Sequence, residues 1–378
     1  MSVTATKAKT KINYIDNLRV LLTILVILHH TFITYGAPGG WYYRQPSEKI
    51  GALVPMTMFV ATNQSFFMGF FFFLSALFTE TSYLKKGPRL FMADRLKRLG
   101  IPLLFYTFIL GPFMNYLIEV FGKGHSMSFI TYLGGYDDWI DFGVLWFVLA
   151  LLVFTSLYVL VQQFNKGAQR KTYPAPSNTA ILVLGLLLGI ISFVVRIVFP
   201  VGWVLHPIGF QLAYFTQYIA MFALGIVASR SNWLSGIDYR KGKRWLIIAI
   251  ILVLCFPLLY IVKIITNSPL DSFNGHGTWQ SLLNALWEQL TGISIMVALL
   301  GVCRQKWNTS TALLQKMARS AYATYIIHPL FIISAALLLK NWDIEPALKL
   351  LVAAPIAVTA SFVFAGLLVK LPGVKNIV

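Results

Sequence analysis

Ten runs of about 20 mostly apolar residues follow one another along this chain, at roughly 15–36, 54–78, 99–121, 143–164, 179–199, 208–229, 244–266, 280–303, 321–340 and 346–370. Each is long enough to cross a bilayer core of about 30 Å as a helix. No other feature constrains the fold as strongly. The 378 residues are 57% hydrophobic and only 12% charged, with a mean hydropathy of +0.71, which suits an integral membrane protein and not a soluble domain. The expected fold is all-α and polytopic: a basic tail over 1–14, one membrane domain over 15–370 and a short tail over 371–378. The first run lacks a following small-residue cleavage site and is read as a retained helix.

The net charge of +18 raises the question of nucleic acid, but its distribution answers it. With the N-terminus in the cytoplasm, 23 of the 31 lysines and arginines fall on that side and six on the other, while Arg19 and Arg196 lie within spans. This is the positive-inside asymmetry, and it predicts both termini in the cytoplasm. Anionic lipid head groups, not nucleic acid, are the partner such charges imply. Cys255 and Cys303 sit in different spans, so neither a disulfide framework nor a metal site is expected. Gly185 and Gly189 form a small-xxx-small pair suited to helix packing.

Charged and titratable residues inside spans are expensive, which makes them candidates for chemistry. The first run, "NLRVLLTILVILHHTF", carries Arg19, His29 and His30. Eleven residues separate Arg19 from His30, three helical turns plus about 20°, so the two share a face about 16 Å apart. His29 is turned away by about 80° and is expected to be structural, bonded to a neighbouring helix. The bland alternative is that Arg19 snorkels to head groups and both histidines make inter-helix hydrogen bonds. In "ADRLKRLGIPLL", Arg95 and Arg98 are three apart and offer two guanidiniums on one face, a phosphate receptor or an ordinary positive-inside cluster. Glu288 lies at about the depth of His30 and is its natural partner, unless burial keeps it protonated and bonded elsewhere. His328 is a further titratable group within a span, with Tyr325 one turn before it. Arg196 is open to two readings, snorkelling or meeting an anionic substrate.

Several stretches resemble the acyltransferase-3 family of bacterial inner-membrane acyltransferases, in the branch of the glucan biosynthesis proteins C. They are "YIDNLRVLLTILVILHHTF", "FFFFLSALFTETSYLKKGPRLFMADRLKRLGIPLLF", "LWFVLALL", "PIGFQLAYFTQYIAMFALGIVA" and "TYIIHPLF", which cover nearly the whole chain. The family's arginine–ten residues–histidine motif falls on Arg19 and His30, and its arginine-x-x-arginine motif on Arg95 and Arg98. The usual serine–glycine of the second span reads Ser75–Ala76 here.

The resemblance implies acyl transfer from cytoplasmic acyl-CoA, acetyl or succinyl, to a glycan hydroxyl at the outer face. His30 would be the general base and Glu288 its orienting carboxylate. Arg19, Arg95, Arg98 and His328 would hold the coenzyme. Arg196, Trp146 and Asp138 would face the acceptor. No resident cofactor or metal is implied, and a homo-oligomer remains open. The rival reading is a transporter or flippase in which His30, Glu288 and His328 relay protons.

Overall fold

The computed structural model describes residues 12–165 and 169–377; most of the predicted N-terminal tail lies outside the described residues. Among the described residues ten helices are long and apolar enough to cross a membrane: α1 Asn13–Thr34, α2 Ile50–Ala76, α3 Thr79–Gly122, α4 Gly143–Phe164, α5 Asn178–Val198, α6 Leu212–Arg230, α7 Tyr239–Ile265, α8 Trp279–Lys306, α9 Ala312–Leu338 and α10 Pro346–Leu368. No strand occurs among the described residues beyond one isolated bridge between Leu205 and Phe210.

The helix count matches the ten apolar runs, but α3 and α9 begin well before them. Helix α3 starts at Thr79 and bends at Gly87, whose φ of 73° only glycine adopts freely, before Pro88 restarts it. Its first turns are polar, so no hydropathy signal marks them. Three π-helical turns, at Leu96–Gly100, Tyr106–Leu110 and Ile118–Gly122, loosen the rest of α3.

Helix α1 lies inside the bundle, packed on α9 and α10, while α8 is held between α5 and α7, and α2 against α6. Lipid tails are as apolar as leucine, so such contacts depend on close packing and polar clamps. Gly185 and Gly189 supply the first: a Cβ on either would come within 2.8 or 2.7 Å of Leu290 or Leu286 of α8. Polar clamps tie the ends. Asn17 donates to the carbonyls of Trp307 (2.7 Å) and Thr309 (2.9 Å), and Arg230 grips the buried Glu80 carboxylate through Nε and Nη2. At the opposite end Ser47 donates to Glu345.

Candidate active site

Two cavities open along the inner side of α1. A stripe of α1 residues at helical spacing feeds both: Arg19 and Thr23 line the first, then Val26, His30 and Ile33 the second. The first, of about 360 Å³, lies at the end of the bundle carrying Arg19, Arg95, Arg98 and Arg319. Arg19 rests over the Phe78 ring at 4.8 Å and pairs with Asp16 at 3.4 Å, while Arg95 lies over the Phe91 ring at 5.1 Å. Arg98 Nε donates to Asp94 at 3.2 Å, and Arg98 lines the cavity. Arg95 and Arg98 therefore do meet at one site. Arg319, which joins them from α9, was counted in sequence only as one more positive-inside charge.

The second cavity, of about 160 Å³, is lined by His29, His30, Gln64, Trp146, Gln211, Tyr214 and Tyr218, among others. Tyr325 lines both cavities. Its hydroxyl donates to the Val144 carbonyl, and its ring stands 5.9 Å from Phe147 and 5.8 Å from His328. The partition between the two spaces is thus the Tyr325 side chain and the start of α4.

His30 meets His328 here. Nδ1 of His30 is 3.0 Å from Nε2 of His328, and Nδ1 of His328 is 2.7 Å from the Tyr325 carbonyl. The sequence explains that carbonyl. In an α-helix the Tyr325 oxygen would accept from the N–H of residue 329, which is Pro329 and has none. His328 fills the vacancy. A carbonyl only accepts, so His328 Nδ1 carries the hydrogen and its Nε2, in the neutral ring, is bare. Nε2 then accepts from His30 Nδ1–H, which leaves His30 Nε2 as a free lone pair. Trp41 covers the other face of His30, with ring centroids 4.2 Å apart and planes 15° apart. Neither Trp41 nor the carbonyl vacancy was singled out from sequence, although "HP" within a helix is the signal for the latter.

Four expectations change. Glu288 does not orient His30: its carboxylate accepts from Arg196 Nη2 at 2.6 Å and from Gln289 at 3.0 Å, in a fully buried cluster extended by Gln217. Arg196 is 0% exposed, sits over the Tyr214 ring at 5.4 Å and lines neither cavity, so it does not snorkel. Each ion needs the other, because either alone would be an uncompensated buried charge. His328 lies beside His30, 3.0 Å from it, and not among the cavity arginines. Asp138 lines neither cavity. It stands near Tyr132, whose hydroxyl is pushed up to about 12 by burial first and then by neighbouring Tyr136, Glu119, Asp138 and Asp137.

His29 is both expected and not. It is bonded to a neighbouring helix as predicted, through Asn63 at 3.3 Å, yet it also lines the cavity with His30. Trp146 lines that cavity too, its ring stacked 5.5 Å from Tyr218.

A family model described as an acyltransferase domain matches residues 12–368. Among curated proteins, glucans biosynthesis protein C of Escherichia coli strain SMS-3-5 is 28% identical over 225 residues, 57% of either chain. The proteins of the same name from strain K12 and from O157:H7 match to the same extent. The matched stretch is thus a little over half the length of these relatives. No solved structure matches.

Proposed function

The chain belongs to the acyltransferase-3 family, and from that premise we propose that it moves an acyl group from acyl-CoA, bound at the basic cavity, to a hydroxyl of an envelope glycan bound at the histidine cavity. The observation that carries this reading is that the two cavities abut at Tyr325, whose carbonyl also fixes the proton arrangement on His328 and His30.

Guanidiniums in the basic cavity suit the phosphates of a coenzyme, since charge-assisted contacts to phosphate are the strong ones. The thioester would pass the partition to reach His30. Nε2 of His30 takes the proton of the acceptor hydroxyl while that oxygen attacks the thioester carbonyl. The resulting imidazolium donates Nδ1–H to His328, whose own Nδ1–H points at a carbonyl dipole, and it lies against the Trp41 face. Collapse of the tetrahedral intermediate expels the coenzyme thiolate, which recovers the proton from His30. The small second cavity suits a short acyl group, acetyl or succinyl. Trp146 and Tyr218 offer flat faces, and Gln64 and Gln211 amides, to a sugar. The relatives' name makes a glucan the first acceptor to try.

The charge asymmetry supports a cytoplasmic basic end, with the histidine cavity toward the outer face of an inner membrane. A three-membered proton relay has no support, because Glu288 is taken by Arg196. The test is transfer of labelled acetyl or succinyl from the coenzyme to a glucan by purified protein. Product that requires both the protein and His30 supports the reading; coenzyme binding without any transfer contradicts it.

A further inference from the structure

His29 stands at the reacting centre with one nitrogen fixed and the other unused. Asn63 Nδ2 lies 3.1 Å from the Leu25 carbonyl and 3.3 Å from His29 Nδ1. The Leu25 oxygen only accepts, so the nitrogen end of the Asn63 amide must face it; turning the amide over would set two oxygens against each other. The second hydrogen of that NH2 then goes to His29 Nδ1, which must be bare to receive it. In the neutral ring the hydrogen sits on Nε2. His29 makes no other hydrogen bond to the described residues, is 5% exposed, and has its ring stacked on Phe67 at 4.9 Å.

The neighbouring rings thus carry opposite polarity. His30 presents a lone pair at Nε2, set by the Tyr325 carbonyl through His328. His29 presents a hydrogen at Nε2, set by the Leu25 carbonyl through Asn63. The rings are 5.5 Å apart, nearly perpendicular, and line one cavity. An acyl transfer needs both polarities at once: a base for the attacking hydroxyl and a donor for the carbonyl oxygen.

The geometry points to His29 Nε2–H as the donor that holds the oxyanion during acyl transfer, which makes His29 a catalytic residue and not a packing one. This rests on the acyl-transfer reading above. As the hydroxyl oxygen bonds to the thioester carbon, the carbonyl π pair moves onto oxygen and is met by His29 Nε2–H. When that pair returns, the carbon–sulfur bond breaks and the thiolate leaves with the proton His30 had taken. His29 keeps its own hydrogen throughout.

The test uses purified full-length protein, labelled acetyl-CoA and two acceptors, a glucan and hydroxylamine. Hydroxylamine attacks through a nitrogen lone pair without prior deprotonation, so it bypasses a missing base but not a missing oxyanion donor. His29→Met and His29→Gln are matched in length, and only Gln carries N–H groups that reach the position of Nε2. Removing one oxyanion donor costs about 10²–10³-fold in kcat, so His29→Met should lose that much on both acceptors. Its affinity for the coenzyme should stay at the wild-type value. His29→Gln should regain a large part of the loss, and His30→Ala should recover with hydroxylamine alone. A His29→Met protein close to wild type, or one that hydroxylamine rescues as it rescues His30→Ala, overturns the role. So does His29→Gln matching His29→Met in a folded, coenzyme-binding state. Wild-type protein that acylates neither acceptor overturns the acyl-transfer reading, and this role with it.

Discussion

The two cavities that meet at Tyr325 are built on different principles. The basic cavity gathers permanent charge: four arginines, of which Arg19, Arg95 and Arg98 lie on aromatic rings or beside a partly exposed carboxylate, with side chains as open as 37% for Arg19 and 51% for Arg98. The histidine cavity is lined by neutral groups, and each ring's hydrogen is assigned by a backbone carbonyl one residue away in the bonding chain. Recognition of a polyanion tolerates loose geometry because Coulomb attraction falls off gradually. Proton transfer does not, because a hydrogen bond weakens steeply with angle. One region can therefore be assembled from residue types at roughly the right end of a helix. The other needs a defined bond at every step.

The sharpest way to break this contrast is to remove the base. His30→Ala should lower acyl transfer by about 10²–10⁴-fold, the usual loss for a general base, with coenzyme affinity unchanged. Steady-state rates and isothermal binding on the same preparation check it. A parallel loss of coenzyme binding would mean that the two cavities are one site.

Next comes the buried pair behind the histidine cavity. Glu288→Ala leaves Arg196 charged and unpaired, at a cost of about 3–5 kcal/mol. The effect should appear as lowered thermal stability and yield. Replacing both, Arg196→Met with Glu288→Leu, should recover most of it. If Glu288→Ala is fully stable but inactive, the carboxylate belongs to the reaction after all.

The charged cavity should respond more gently. Arg95→Gln with Arg98→Gln should weaken coenzyme binding about 10–100-fold, since each charge-assisted contact is worth about 1.5–3 kcal/mol and exposure reduces that. Added salt should weaken wild-type binding and affect the double variant less. Turnover at saturating coenzyme should be nearly unchanged. The smallest effect is expected from Tyr325→Phe, which removes only the hydroxyl bond to Val144, a net loss of about 0.5–1.5 kcal/mol. Its signature is a rise in acyl-CoA hydrolysis relative to transfer, because the partition is loosened. An unchanged ratio would mean that Tyr325 does not separate the two spaces.

The same contrast decides how much the sequence could reveal. Spans, the count of ten and the arginine cluster were legible because apolar length and fixed charge are written residue by residue. The start of α3 was not, because Thr79–Gly87 is polar and its bend depends on one positive φ. The helical angle between Arg19 and His30 was correct, but it set His29 aside as structural because it allowed for one functional face of α1. Two cavities lie along α1 instead, and the second is wide enough to take both histidines. The partner of Glu288 was beyond reach: His30 and Arg196 both lie in other spans at similar depth, and only packing decides between them. The His30–His328 bond was half visible, since Pro329 one residue after a histidine within a helix frees a carbonyl for it.

The central claim is that donor and acceptor enter from opposite ends and meet at His30. Sealed liposomes holding the protein in one orientation, with sidedness read from a label on Asp271→Cys, exposed in the same loop as Gly275, test it most directly. Labelled acyl-CoA is supplied on one side and glucan on the other. The account predicts acylated glucan only when the coenzyme is on the side of Arg95 and Arg98 and the glucan on the side of Gly275, with none in His30→Ala vesicles. Product formed only when both substrates share one side would contradict it.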